Sequence, residues 1–363
     1  MRARSLIVAL LVAVCGAVLG PVAPAQAATA DQWGFALVDN PTVPLFTTLN
    51  TSRQWGTWKT AFPASWASGG KLATGRFRVK FPNIGTPKGF VHVTPVNRTG
   101  NYCEIVFWTP SGADEIVDVQ CHKPGGAADD TPFTVLWSVS SGVLPSSQPG
   151  SHAYLRYGTA GITDSYNSTG LGAAGGPTGV GQYTFKLYGV GLATMLSGNL
   201  QATAIQPNAA PRRCNIYKWS FSGTDILATV YCYNQAGALT NSEFTLSYHR
   251  ERTVLGSFAP PKYFGYVWSA GNVGQTNFNY PTALNANTIG ATIPVGRYIV
   301  KYPNLGVKET TAQLTANSPT SNYCNLTSAW SYAGVDAVVD VICFDNAGNP
   351  KAEVFLSTFT SRI

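Results

Sequence analysis

The stretch WTPSGADEIVDVQCHKPGGAADDTPF, residues 108–133, decides the fold, because its spacing W-x3-G-x-D-x6-C-x4-G-x6-F recurs unchanged from Trp219 to Phe244 and from Trp330 to Phe355. Corresponding cysteines, Cys121, Cys232 and Cys343, lie 111 residues apart in both intervals. A period that long is a domain, not one turn of a solenoid. A second block upstream keeps the same register. It reads Gly75, Phe77, Val79, Lys80, Gly85 in the first copy, then Gly181, Tyr183, Phe185, Lys186, Gly191, then Gly296, Tyr298, Val300, Lys301, Gly306. Between the blocks the second copy is longer, which places an insert in a loop.

Alternation within the repeated blocks predicts strands. Val117, Val119 and Cys121 point one way and Asp118 and Gln120 the other; Phe77, Val79 and Phe81 alternate likewise with Arg76, Arg78 and Lys80. No sustained 3.6-residue apolar period follows residue 27, and Gly, Pro, Asn and Ser interrupt short apolar runs. The pattern is that of an all-β protein, here three tandem antiparallel β-sandwich domains over 28–141, 150–255 and 262–363. The proline-bearing stretches 140–150 and 256–261 are expected to be semi-rigid spacers, and the array to be elongated.

Residues 1–27 have the features of a signal peptide: Arg2 and Arg4, an apolar run from Leu6 to Leu19, and the small-residue site Ala25-Gln26-Ala27. The chain is therefore expected to be exported, with a lipid anchor at Cys15 as a lesser alternative. No later stretch is apolar enough to span a membrane. In an oxidising compartment the remaining six cysteines are expected to pair within copies, Cys103 with Cys121, Cys214 with Cys232 and Cys324 with Cys343, each pair flanking a glycine-bearing turn. Each closure should stabilise its domain by about 3 kcal/mol. The third interval is one residue longer, which predicts a β-bulge between Cys324 and Trp330.

These motifs resemble a group of secreted bacterial proteins built from one to several modules of this size, marked by G-x-Y-x-V-x-F-P-x-[IL]-G and then the Cys, Trp, Gly-x-Asp and Cys positions. The likeness spans Gly75 to Phe133, most of Gly181 to Phe244, and Gly296 to Phe355. It implies export and modularity and carries over no functional residue. The second copy departs at Tyr188, where Pro82 and Pro303 stand, and this puts its local turn in question.

Nothing in the chain reads as an active site. His92, His122, His152 and His249 fall at different places in different copies, and no nucleophile, metal-ligand or phosphate-loop motif is present. Asp114, Asp225 and Asp336 are the carboxylates in register. They are either calcium or sugar ligands or, as preferred here, turn residues bonding local backbone. Lys80, Lys186 and Lys301 are read as charges that protect exposed strands. Without residues 1–27, 22 Lys and Arg face 17 Asp and Glu, with no basic cluster to suggest nucleic acid. Trp108, Trp219 and Trp330 are expected in the cores. Trp55, Trp58 and Trp66 lie in the variable part of the first copy, and are candidates for an exposed aromatic platform or a local minicore. The expected function is non-catalytic binding or adhesion at an extracellular surface, without a cofactor or metal, on a polysaccharide or on a secreted or surface protein. A structural or spacer protein of the envelope, or an inhibitor of another secreted protein, is the alternative.

Overall fold

The computed structural model describes residues 31–208, 210–259 and 262–362. The expected signal peptide and Cys15 lie outside the described residues. The described chain is nearly all β, with one short 3-10 turn at Thr57–Thr60 and no α-helix.

Each copy of the pattern builds two sheets around its own core. In the first, Gln54–Gly56, Gln32–Val38, Phe133–Val139 and Phe90–Pro95 form an inner sheet. Ser68–Ala73, Arg76–Phe81, Asp114–His122 and Tyr102–Ser111 lie opposite, in the outer sheet. The second and third copies repeat this order, with Asn199–Ile205 and Thr310–Ala316 in the place of Phe90–Pro95. Between the sheets sit Val79, Phe81, Val117 and Trp137 in the first copy, Phe185, Trp219, Val230 and Leu246 in the second, and Val300, Trp330, Val339 and Phe359 in the third. Outer strands keep the expected alternation: Arg76–Phe81 and Gln182–Leu187 bury every second residue.

The cysteines face each other across antiparallel strands. Cys103 is bonded to Cys121, Cys214 to Cys232 and Cys324 to Cys343, with Cα atoms 4.0, 4.1 and 3.9 Å apart. The repeated glycines have specific tasks. Gly75, Gly181 and Gly296 have φ of 70°, 66° and 88°, and each carbonyl accepts the N–H of the second cysteine of its copy at 2.8 Å. Gly85, Gly191 and Gly306 donate at 2.8 Å to the residue preceding the repeated aspartate, an approach too close for a Cβ.

The copies do not run end to end, and the expected elongated array is corrected. Asn97 N donates to Leu326 O at 2.8 Å, Gln206 N to Ile105 O at 2.8 Å, and Ser318 N to Ile216 O at 3.0 Å. The acceptors each lie two residues after the first cysteine of their copy. First copy joins third, second joins first and third joins second, so the three close into a ring with pseudo-threefold symmetry. The reason is visible in the inner strands. Phe90–Pro95, Asn199–Ile205, Thr310–Ala316 and Phe355–Ser361 are buried throughout, although one face of each carries Thr, Gln, His or Ser. That face is buried against the neighbouring copies. The second stretch expected to be a spacer is drawn into the seams, with Ser257 and Ala259 buried and Asp31 accepting the N–H of Phe258, whereas the first is anchored only at Ser140 and Leu144 and is exposed over 145–149.

The seam is hydrogen-bonded in a cycle. Equivalent threonines Thr94, Thr203 and Thr315 meet equivalent partners on the next copy: Thr94 Oγ1 donates to Gln313 Oε1 at 2.8 Å, Thr315 Oγ1 to Gln201 Oε1 at 2.9 Å, and Thr203 Oγ1 lies 3.0 Å from His92 Nδ1. The same hydroxyls accept Leu314 N, Ala202 N and Val93 N at 2.9, 3.0 and 3.4 Å. At the cysteine-bearing end, Gly126, Gly237 and Gly348 form the rim. A side chain on each would strike the next copy, at Gln235, Ser321 and Pro124 respectively.

The bulge expected in the third copy is also corrected. One-residue register shifts occur in the first two copies, between Ile105 and Phe107 and between Ile216 and Lys218. In the third copy the strand breaks, pairing over Tyr323–Leu326 and again over Ser331–Ala333. The extra residue turns a bulge into an excursion that Thr327 N anchors to Asp340 O at 2.8 Å.

Candidate functional site

The residues singled out in the sequence are distributed over the molecule. Trp58 is only 2% exposed, stacks on Phe81 with centroids 5.9 Å apart, and donates from Nε1 to Ser65 O at 3.1 Å. Its ring occupies the space left by Gly34 and Gly56. Trp55 and Trp66 are half-buried and flank Lys59, whose Nζ lies 3.1 Å from the Trp66 centroid and 5.3 Å from that of Trp55. Arg362 also stands over Trp55 at 4.5 Å and pairs with Glu309 at 3.0 Å, so Trp55 belongs to the seam between the first and third copies. The structure thus brings Trp55 and Trp66 together around a cation and places Trp58 beneath them in the core. Trp108, Trp219 and Trp330 are buried.

The repeated aspartates and lysines, read separately in the sequence, are partners. Lys80 pairs with Asp114 at 3.0 Å, Lys186 with Asp225 at 2.8 Å and Lys301 with Asp336 at 2.7 Å. The other carboxylate oxygen accepts Asn83 N, Gly189 N and Asn304 N at 3.0, 2.8 and 3.0 Å. Those three residues have φ of 56°, 69° and 58°, so the turn after Tyr188 matches those after Pro82 and Pro303. The lysine hydrogen bond draws the carboxyls of Asp225 and Asp336 below the usual range. With both oxygens engaged, each aspartate is a turn clamp. Among the described residues no three His, Cys, Asp or Glu side chains converge as a metal site.

The histidines are structural in placement. His92, His152 and His249 lie fully buried at the seam of the first and second copies, and burial pulls His92 down to about 3 and His152 to about 4. His122 Nε2 contacts the buried Glu104 at 3.0 Å.

An open cavity lies elsewhere, in a cleft of about 430 Å³ at the end of the second copy. The half-buried Tyr157 lines it, resting on the buried Tyr183 with centroids 5.0 Å apart, and Gln206, Asn208, Asn241 and Glu243 stand around it. Ser242 N donates to Tyr183 Oη at 3.0 Å. Asn241 Oδ1 accepts Gly181 N at 2.9 Å. No Lys or Arg lines it. The first copy fills the corresponding place: Lys71, the counterpart of Pro177, donates its N–H to Val43 O at 2.9 Å, and residues 44–45 lie against Gly70. In the second copy Pro177 has no N–H to offer, and the chain turns directly from Ser151–Gly158 into Gly161–Asn167. Sequence reasoning missed this cleft, because Tyr157, Asn208 and Glu243 carry no periodic signal. Pro177 within the glycine-rich edge strand was the one available sign of an uncovered edge.

No family model, no curated protein and no solved structure matches the chain.

Proposed function

We propose that this chain is a secreted, non-catalytic binding protein, built of three β-sandwich domains, that acts at an extracellular surface and holds a short stretch of neutral polysaccharide in the cleft over Tyr157. The observation that carries this reading is the cleft's lining. The half-buried ring of Tyr157 offers an apolar face, and Gln206, Asn208, Asn241 and Ser242 offer neutral donors and acceptors, the set that suits the alternating C–H and hydroxyl faces of a sugar. The absence of cations from the lining disfavours an anionic polymer. Glu243 is its one carboxylate, whereas glycoside hydrolysis by the usual route requires two at one site. Three disulfides, and no described helix long and apolar enough to cross a membrane, are compatible with an extracellular protein.

A structural role is favoured by a different observation, the closed polar seam that locks the copies together. Retention on insoluble neutral polysaccharides, measured for the native chain and for Asn208→Ala with Glu243→Gln, separates the two. Binding at the cleft predicts retention that falls at least tenfold in the double variant while the melting midpoint holds, since both side chains sit at the surface end of the cleft. No retention on any polymer overturns the polysaccharide reading, and capture of a single secreted protein turns it toward an inhibitor.

A further inference from the structure

At the rim of the pseudo-threefold axis the residue before the first cysteine of each copy points inward. These residues are Tyr102, Arg213 and Tyr323. Two copies supply a phenol and the second supplies a cation, so one positive charge stands where threefold repetition would have placed a neutral ring. Arg213 is sandwiched between the tyrosines, its guanidinium carbon 4.4 Å from the Tyr102 centroid and 4.5 Å from that of Tyr323. It is 6% exposed. A cation this deeply buried requires compensation, and Arg213 has no carboxylate in contact. Its Nη2 donates to Asn346 Oδ1; Nε and Nη1 are buried with no well-aligned acceptor, the oxygen of Tyr102 beside them being the side chain that meets the guanidinium, and the O–H of Tyr102 itself has no acceptor. Glu104 is the nearest acid, yet its oxygens are taken by His122 Nε2 at 3.0 Å and Arg212 N at 2.7 Å.

Beneath this roof is a cavity of about 50 Å³. Its walls come in threes, from the first cysteines and from Val93, Ala202 and Leu314, and Thr203 and Thr315 of the hydrogen-bonded ring contribute to it. A water needs roughly 10–15 Å³ of such space. The cavity therefore takes one or a few particles of that size, and is too small for a large organic anion such as gluconate.

We propose that this axial cavity binds one small monatomic anion, chloride being the abundant one, held by N–H groups of Arg213 and by the O–H of Tyr102, which has no acceptor among the described residues. The anion supplies a countercharge in direct contact, where Glu104 acts on Arg213 only from a distance, and ties the second copy to the first. A ligand bound only by the folded, closed arrangement stabilises that arrangement.

The test is a thermal melt of the full chain in sodium chloride and in sodium bromide, with ionic strength held constant by sodium gluconate, whose anion is too large for the cavity. Expected is a midpoint that rises by roughly 3–5 °C and saturates with halide, together with a bromide anomalous-scattering peak beside Arg213. Arg213→Gln should abolish the halide dependence. Tyr102→Phe removes a single donor and keeps the ring, so it should raise the half-saturating halide concentration about tenfold even if the arginine variant does not fold. Equal midpoints in halide and gluconate, the result expected if water fills the cavity, overturn the proposal. So does a halide dependence that survives unchanged in Tyr102→Phe.

Discussion

Replacing Thr315 by valine tests the idea that the polar seam holds the three copies as one cooperative unit. The hydroxyl of Thr315 donates to Gln201 Oε1 at 2.9 Å and accepts Ala202 N at 3.0 Å, and all three groups are buried. Gln201 Nε2 is engaged elsewhere, with Asn199 Oδ1 at 2.7 Å, so its Oε1 has no second partner to fall back on. Valine keeps the shape and opens no cavity. The loss is therefore two buried polar groups left without partners, each at about 1–3 kcal/mol, which gives a cost of roughly 2–4 kcal/mol once some relaxation is allowed. Serine provides the control: it retains the hydroxyl and removes one methyl, for about 1 kcal/mol. The assay is urea unfolding followed by tryptophan fluorescence, with each core containing its own buried tryptophan, Trp108, Trp219 or Trp330. The expected result is a single transition displaced as a whole, with valine costing more than serine. Valine no worse than serine, or a third copy that unfolds separately while the other two keep their midpoint, would refute the reasoning.

Two further outcomes are expected. In the unfolded chain each buried histidine takes a proton near its ordinary value of 6.5, but in the folded chain His152 and His92 stay neutral to about 4 and about 3, and His249 well below 6.5; the stability this represents is whole above pH 6.5 and is lost as pH falls below it. Burial acts oppositely on Asp31 and Glu115, raised to about 6 and about 8, so the effect is isolated by a variant: His249→Phe, which removes a ring with both nitrogens unpartnered, should gain stability relative to the native chain on going from pH 8 to pH 5, and a pH-independent difference in urea melts would contradict this. Trp58→Ala should cost about 3–5 kcal/mol and Trp66→Ala under about 1 kcal/mol in the same melts, since only the first ring fills a core; equal effects would place them in one layer.

Secondary structure and the disulfides were legible because they depend on local spacing. Alternation in residues 76–81 and 115–121, and glycines at φ near 60–90°, carry their meaning within a few residues of themselves. The Lys80–Asp114 partnership was half legible: both residues repeat in register, but 34 positions apart, and only the antiparallel pairing of the non-consecutive strands Arg76–Phe81 and Asp114–His122 brings them together. The closed ring was not legible, although its marks were present. Thr94, Thr203 and Thr315 sit in equivalent places, and Gly126, Gly237 and Gly348 belong to the repeated pattern itself. In a single copy a threonine-rich strand face reads as solvent-facing, and a glycine after a cysteine reads as a turn. Burial by another copy is invisible to a rule that looks along one strand. The cleft over Tyr157 was missed for the complementary reason, since it is made by what the second copy lacks.

A ring of three similar units constrains every position that faces the axis, because each substitution there is met by two neighbours. Departures from symmetry at such positions therefore indicate where the copies have taken different tasks. Four stand out: Arg213 among two tyrosines, His92 among two glutamines, Glu104 among two asparagines, and the open end of the second copy. Glu104 accepts Arg212 N, whereas Asn215 and Asn325 donate to carbonyls of the next copy, so at one of three equivalent seams the polarity of the contact is reversed. Arg213, Glu104 and Arg212 all lie at the junction of the first and second copies, and Gln206 and Asn208 extend from that junction to the cleft. Copy-specific residues at this seam lie next to both the axial cavity and the cleft. An anion bound in the first would contact Arg213, five residues along the chain from Asn208. Measuring polysaccharide retention in chloride and in gluconate would show whether the two sites are coupled.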